Sequence, residues 1–89
     1  MSVVAYFCNP YAGIMKTANI DKIYEQIGQR IVDARKAKGL SQERLAAESH
    51  VDRSHMGFIE QGRRKPTLST LVKIASSLDI SLEELFRGL

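Results

Sequence analysis

Apolar and polar positions alternate along this chain with a helical period. Ile20, Ile23, Ile27, Ile31 and Ala34 recur at intervals of three and four residues, the stripe of one helix that Gly39 closes. Leu45 and Ala46 begin a second apolar face behind Ser41, whose hydroxyl can accept an orphan N–H of the first turn. Val51 falls in a tight turn. Asp52 then caps a third segment with Met56 and Ile59 three apart, and Gly62 stops it. Pro66 and Thr67 set a new start, and Leu68, Leu71, Val72, Ala75 and Leu78 give the stripe of a fourth helix. After the Asp79-Ile80 link, Ser81-Leu82-Glu83-Glu84 reads as a capping box, followed by Leu82, Leu85, Phe86 and Leu89 along a short fifth helix. The pattern predicts an all-α fold: a compact bundle of five non-parallel helices with no required strand and no internal repeat.

The first twenty residues break this pattern. Val3-Val4-Ala5-Tyr6-Phe7-Cys8 has strand-like composition, and Asn9-Pro10 and Gly13 interrupt it. The expected division is an N-terminal extension over 1–20 and a folded domain over 21–89. Met15 lies just ahead of the patterned region, so the extension reads either as a dispensable tail or as an arm that packs on this chain or a partner.

The second and third segments carry the functional signal. Two short helices joined by a tight turn, the second with Arg53, Ser54, His55 and Phe58 off its apolar face, form the unit that enters a DNA major groove. Charge supports this. The net charge of +3 says little by itself, but Arg53, Arg63, Arg64 and Lys65 stand against Glu60 alone between residues 53 and 66. That local excess equals the excess of the whole molecule, and it follows the helix expected to read DNA.

From about Gly28 to Phe86, some two thirds of the chain, these residues resemble the Cro/repressor-type (XRE-like) helix-turn-helix domains. The resemblance rests on Arg35, Gly39-Leu40-Ser41-Gln42, Leu45-Ala46, Val51, Ile59-Glu60-Gln61-Gly62, Pro66, Leu71 and the run through Ile80-Ser81-Leu82-Leu85-Phe86. Among such regulators the chain looks like the short single-domain kind, with restriction–modification controller proteins the nearest type. The resemblance implies that Gln42 binds phosphate and braces the recognition helix. It also implies that Arg53 and Ser54 read base edges, with His55 and Phe58 at variable DNA-facing positions, and that Gln61, Arg63, Arg64 and Lys65 touch the backbone. An arginine at position 53 can make the bidentate contact to guanine O6 and N7. Two departures stand out. His50 occupies a left-handed turn position that is often glycine in the family, and histidine is among the less disfavoured substitutes there. Phe58 replaces a polar residue, and reads either as a contact to a thymine methyl group or as packing against a neighbouring helix.

Other chemistry is weaker. Arg35 follows Ile31 by four residues and Glu60 follows Met56 by four, so opposite charges lie on two apolar stripes. They are expected to form a partly buried structural ion pair, the alternative being that one of them snorkels to the surface. Cys8, His50 and His55 are the soft metal ligands and share no helix face, so neither a metal nor a cofactor is expected. Ser54 and His55 are adjacent and point apart, no phosphate-binding glycine loop is present, and no enzymatic activity is expected. A single cysteine allows no internal disulfide, and no stretch approaches the ~20 apolar residues of a membrane span, so a cytoplasmic protein is the expectation.

The expected function is therefore sequence-specific regulation of transcription by a homodimer on double-stranded DNA, through steric repression or contact with RNA polymerase. Two rivals are an antitoxin that also binds a toxin protein, and an interaction module that has lost DNA reading. Leu82, Leu85, Phe86 and Leu89 are the expected dimer interface, with Phe86 and Leu89 the residues most exposed to a partner; the alternative is that all four pack inward.

Overall fold

The computed structural model describes residues 17–89 as five helices: α1 (Thr17–Ala37), α2 (Gln42–Ser49), α3 (Arg53–Glu60), α4 (Leu68–Ser77) and α5 (Leu82–Phe86). The arm at Val3 to Phe7 and Cys8 lie outside the described residues, and α1 runs through the 20/21 division drawn from sequence.

Local chemistry sets the starts of the four shorter helices. Ser41 Oγ accepts from the Arg44 amide at 3.0 Å, Asp52 Oδ2 from Ser54 at 3.1 Å, and Thr67 Oγ1 from Thr70 at 3.1 Å. At α5 the capping box is complete: the Glu84 amide donates to Ser81 Oγ and the Ser81 amide to Glu84 Oε1, both at 3.0 Å. Each contact satisfies a donor that the helix itself leaves open. The α2–α3 turn passes through His50 at φ 56° and ψ 40°, the left-handed conformation expected there. Asp79 does the same between α4 and α5 at φ 57°. Its short polar side chain makes it one of the few residues that tolerate that region.

The core joins Ile27 and Ile31 of α1, Leu45 and Ala46 of α2, Met56 and Ile59 of α3, Leu71 and Ile74 of α4, Leu78, and Leu85 of α5. In that core α1 packs on α3 and α5, while α2 packs on α3 and α4. Backbones approach closely at one point. A methyl group added to Gly28 would lie 2.6 Å from the carbonyl oxygens of both Ile59 and Glu60, so α1 rests directly on the last turn of α3.

Two details differ from the sequence pattern. On α4 the buried arc is Leu71, Ile74, Ala75 and Leu78, whereas Leu68 and Val72 are 61% and 47% exposed. Both sets satisfy helical spacing, and the neighbouring helices decide which arc is covered. On α5, Leu85 is fully buried and is a core residue rather than part of an outward face.

Candidate nucleic-acid interface

Helix α3 divides lengthwise. Met56, Gly57, Ile59 and Glu60 are buried, Arg53 and Ser54 are exposed, and His55 and Phe58 are half-buried. Beside its exposed face lies a shallow open depression of about 340 Å3, lined by Gln42, Arg53, Ser54, Gly57, Phe58 and Gln61. Five of these six are residues singled out from the sequence. The structure thus brings the two expected base readers at the start of α3 together with Phe58 and two of the expected phosphate contacts. His55, Arg63, Arg64 and Lys65 lie outside the depression's lining.

Gln42 of α2 lies over Gly57 of α3: a Cβ there would be in ordinary contact, at 3.5 Å, with Gln42 Oε1, so the space would admit a methyl group. The Gln42 amide nitrogen donates to Glu60 Oε1 at 2.9 Å. Glu60 is also the partner of Arg35, whose Nε donates to Oε2 at 2.8 Å and whose Nη2 donates to Oε1 at 3.1 Å. Arg35 Nη1 donates in addition to the Leu40 carbonyl at 3.0 Å. The expected ion pair is therefore bidentate and ties α1, the start of α2 and the end of α3 into one polar network. With side chains only 13% and 4% exposed, both charges need these partners.

The other cations are differently held. Arg64 places its guanidinium carbon 5.2 Å from the centroid of the Phe58 ring, a cation–π arrangement that links the basic loop to the recognition helix. Lys65 lies 3.3 Å from Asp21 of α1. Arg53, the first residue of α3, lies 3.7 Å from Glu43 of α2. A cation at a helix N-terminus opposes the macrodipole by about 0.3–1 kcal/mol, and Asp52 and Glu43 offset that cost. Sequence reading missed the contacts of Lys65 and Arg53, because neither follows from periodicity within a helix. It also missed Arg30, whose Nη1 donates to the Leu85 carbonyl at 3.2 Å and so steadies the end of α5.

Away from this face, Ile20, Ile23, Tyr24, Ile27, Leu71, Phe86 and Leu89 line an apolar groove of about 420 Å3. Phe86 and Leu89 are 36% and 38% exposed, and Leu82 is half-buried. Among the described residues no helix is long and apolar enough to cross a membrane.

A helix-turn-helix family model, HTH_3, matches residues 31–85, from the middle of α1 to Leu85 of α5. The chain belongs to this family. It is 45% identical to the restriction–modification controller protein C.AhdI from Aeromonas hydrophila, whose crystal structure superposes with a TM-score of 0.69 over 78% of this chain and 98% of that one. It is 42% identical over 62 residues to the control protein C.MunI of a Mycoplasma species, which covers 68% of this chain and 84% of that protein. It is also 41% identical over 56 residues to the immunity repressor of Bacillus phage phi105, a match that spans 63% of this chain and 39% of the repressor. The chain is a DNA-binding transcriptional regulator of the XRE helix-turn-helix type.

Proposed function

We propose that this helix-turn-helix regulator acts in the cytoplasm as a homodimer on a roughly palindromic operator, in the manner of a restriction–modification controller. The observation that carries the reading is the single exposed face where Arg53, Ser54, Phe58, Gln42 and Gln61 meet. The N-terminal turn of α3 would enter the major groove, and Arg53 would address a guanine through O6 and N7. The loop cations Arg63, Arg64 and Lys65 would neutralise phosphates on either side. One domain of this size offers few base contacts, and two-fold symmetry doubles them at one site. The exposed apolar rim at Phe86 and Leu89 supports pairing through the groove side, which would set the two recognition helices about one DNA turn, ~34 Å, apart. Regulation would then follow by blocking polymerase or by contacting it.

Binding measured against salt tests this directly. With three loop cations per protomer, about six in a dimer, the log–log slope of affinity against salt is expected on the order of −5. A slope near zero on every duplex would refute the phosphate contacts.

A further inference from the structure

Glu43 and Arg53 sit ten residues apart on the first turns of α2 and α3, and the turn between the helices brings them together. Arg53 Nε lies 3.7 Å from Glu43 Oε2, with 57% and 69% of the two side chains exposed. The contact is an ion pair longer than a hydrogen bond, and Glu43 approaches the guanidinium at Nε. A guanidinium approached at Nε can still present its two terminal nitrogens in parallel, the arrangement that guanine O6 and N7 accept. A carboxylate at this place is unfavourable for unselective DNA binding, because it brings negative charge up to a polyanion.

We propose that Glu43 is a specificity-determining positioning residue. It holds Arg53 end-on toward a base edge and away from the phosphates, a role that rests on α3 entering the groove as proposed above. An untethered arginine can swing to a phosphate, and every sequence offers phosphates. With Glu43 in place, that escape means leaving a carboxylate unpaired beside the backbone. A guanine at the right position instead takes the terminal nitrogens and leaves the Nε side with Glu43. The carboxylate therefore penalises wrong sequences more than right ones, which is how discrimination arises from a repulsive element. The pair is exposed, so its effect on folding is small and its effect on selection is the quantity to measure.

The experiment compares wild-type protein, Glu43→Gln, Arg53→Ala and the double variant on two probes. One is the duplex that the wild-type protein selects from a randomised pool, and the other is the same duplex scrambled. Glu43→Gln is expected to lower the selected-to-scrambled affinity ratio about three- to five-fold, chiefly by tightening binding to the scrambled duplex. In the Arg53→Ala background the same substitution is expected to leave the ratio unchanged, and melting temperatures should stay near that of wild type. An unchanged ratio in the single variant, or an equal fall with and without Arg53, would overturn the positioning role. If Arg53→Ala alone left the ratio intact, base reading by Arg53 would fail and the role of Glu43 with it. A wild-type protein that enriched no sequence would refute sequence-specific binding itself.

Discussion

Glu60, the last residue of the recognition helix, accepts two hydrogen bonds from Arg35 of α1, at 2.8 and 3.1 Å, while almost wholly shielded from water. The helix proposed to face DNA is thus fastened at one end by a charge pair. Such a pair need not be stabilising against an apolar replacement, but breaking it leaves the other charge buried. Glu60→Ala should cost about 3–5 kcal/mol, because Arg35 and the Gln42 amide both lose their acceptor. Arg35→Met combined with Glu60→Leu should recover much of this. Thermal or urea denaturation measures both, and a melting temperature unmoved by Glu60→Ala would mean that the pair is solvated.

Gly28 offers a second test of how α1 meets α3. The carbonyls that a methyl group would strike at 2.6 Å belong to the backbone and cannot rotate away. Gly28→Ala should therefore cost about 2–3 kcal/mol, the upper part of the range for overpacking. Gly39 is the contrast: it has open space around it but a φ of +73°. Gly39→Ala should cost about 1 kcal/mol through backbone strain alone. Equal stability of the two variants would contradict the close approach.

Arg53 and Lys65 should part company on DNA. Arg53→Ala is expected to cost ~1–3 kcal/mol on the selected duplex and little on random DNA. Lys65→Ala should weaken both about equally, since a phosphate contact carries no sequence information. Titration of each variant on both duplexes decides between them, and the same proportional loss for both residues would make Arg53 a backbone contact.

Phe86 and Leu85 allow the proposed assembly to be tested apart from folding on α5. Leu85 is fully buried, so Leu85→Ala should destabilise the domain by about 2–5 kcal/mol. Phe86 is partly exposed, so Phe86→Glu should leave the domain folded and yield a monomer in sedimentation at micromolar concentration. A wild-type monomer, or a Phe86→Glu variant that stays dimeric, would remove this helix as the interface.

Features governed by neighbours in sequence were legible beforehand. Ser41, Asp52 and Ser81 cap where they were expected to, because a cap is settled within four residues, and His50 takes the left-handed turn that the family resemblance implied. The Arg35–Glu60 pair was legible for a different reason, since each charge interrupts an otherwise apolar stripe. What periodicity could not choose was which of two equivalent arcs is buried, and Leu68 and Val72 were assigned inward on that ground. Leu85 was grouped with Leu82, Phe86 and Leu89 at the expected interface, and only α1 and α4 beside α5 show it to be fully buried, while Phe86 and Leu89, singled out as the most exposed of the four, are partly exposed. Around the exposed face of α3, several residues singled out from the sequence do lie together, but the links of Arg53 to Glu43, Lys65 to Asp21 and Arg64 to Phe58 depend on how elements converge.

The lengthwise division of α3 has a consequence for how such a regulator changes its target. Its fastening residues, Met56, Gly57, Ile59 and Glu60, face the protein, and its proposed reading residues Arg53 and Ser54 face solvent. Exposed positions away from caps and networks generally exchange within about 0.5 kcal/mol of stability. With base reading on that face as proposed, exchanging a few side chains there would re-address the chain to a new operator, while the mounting that holds the helix stays untouched.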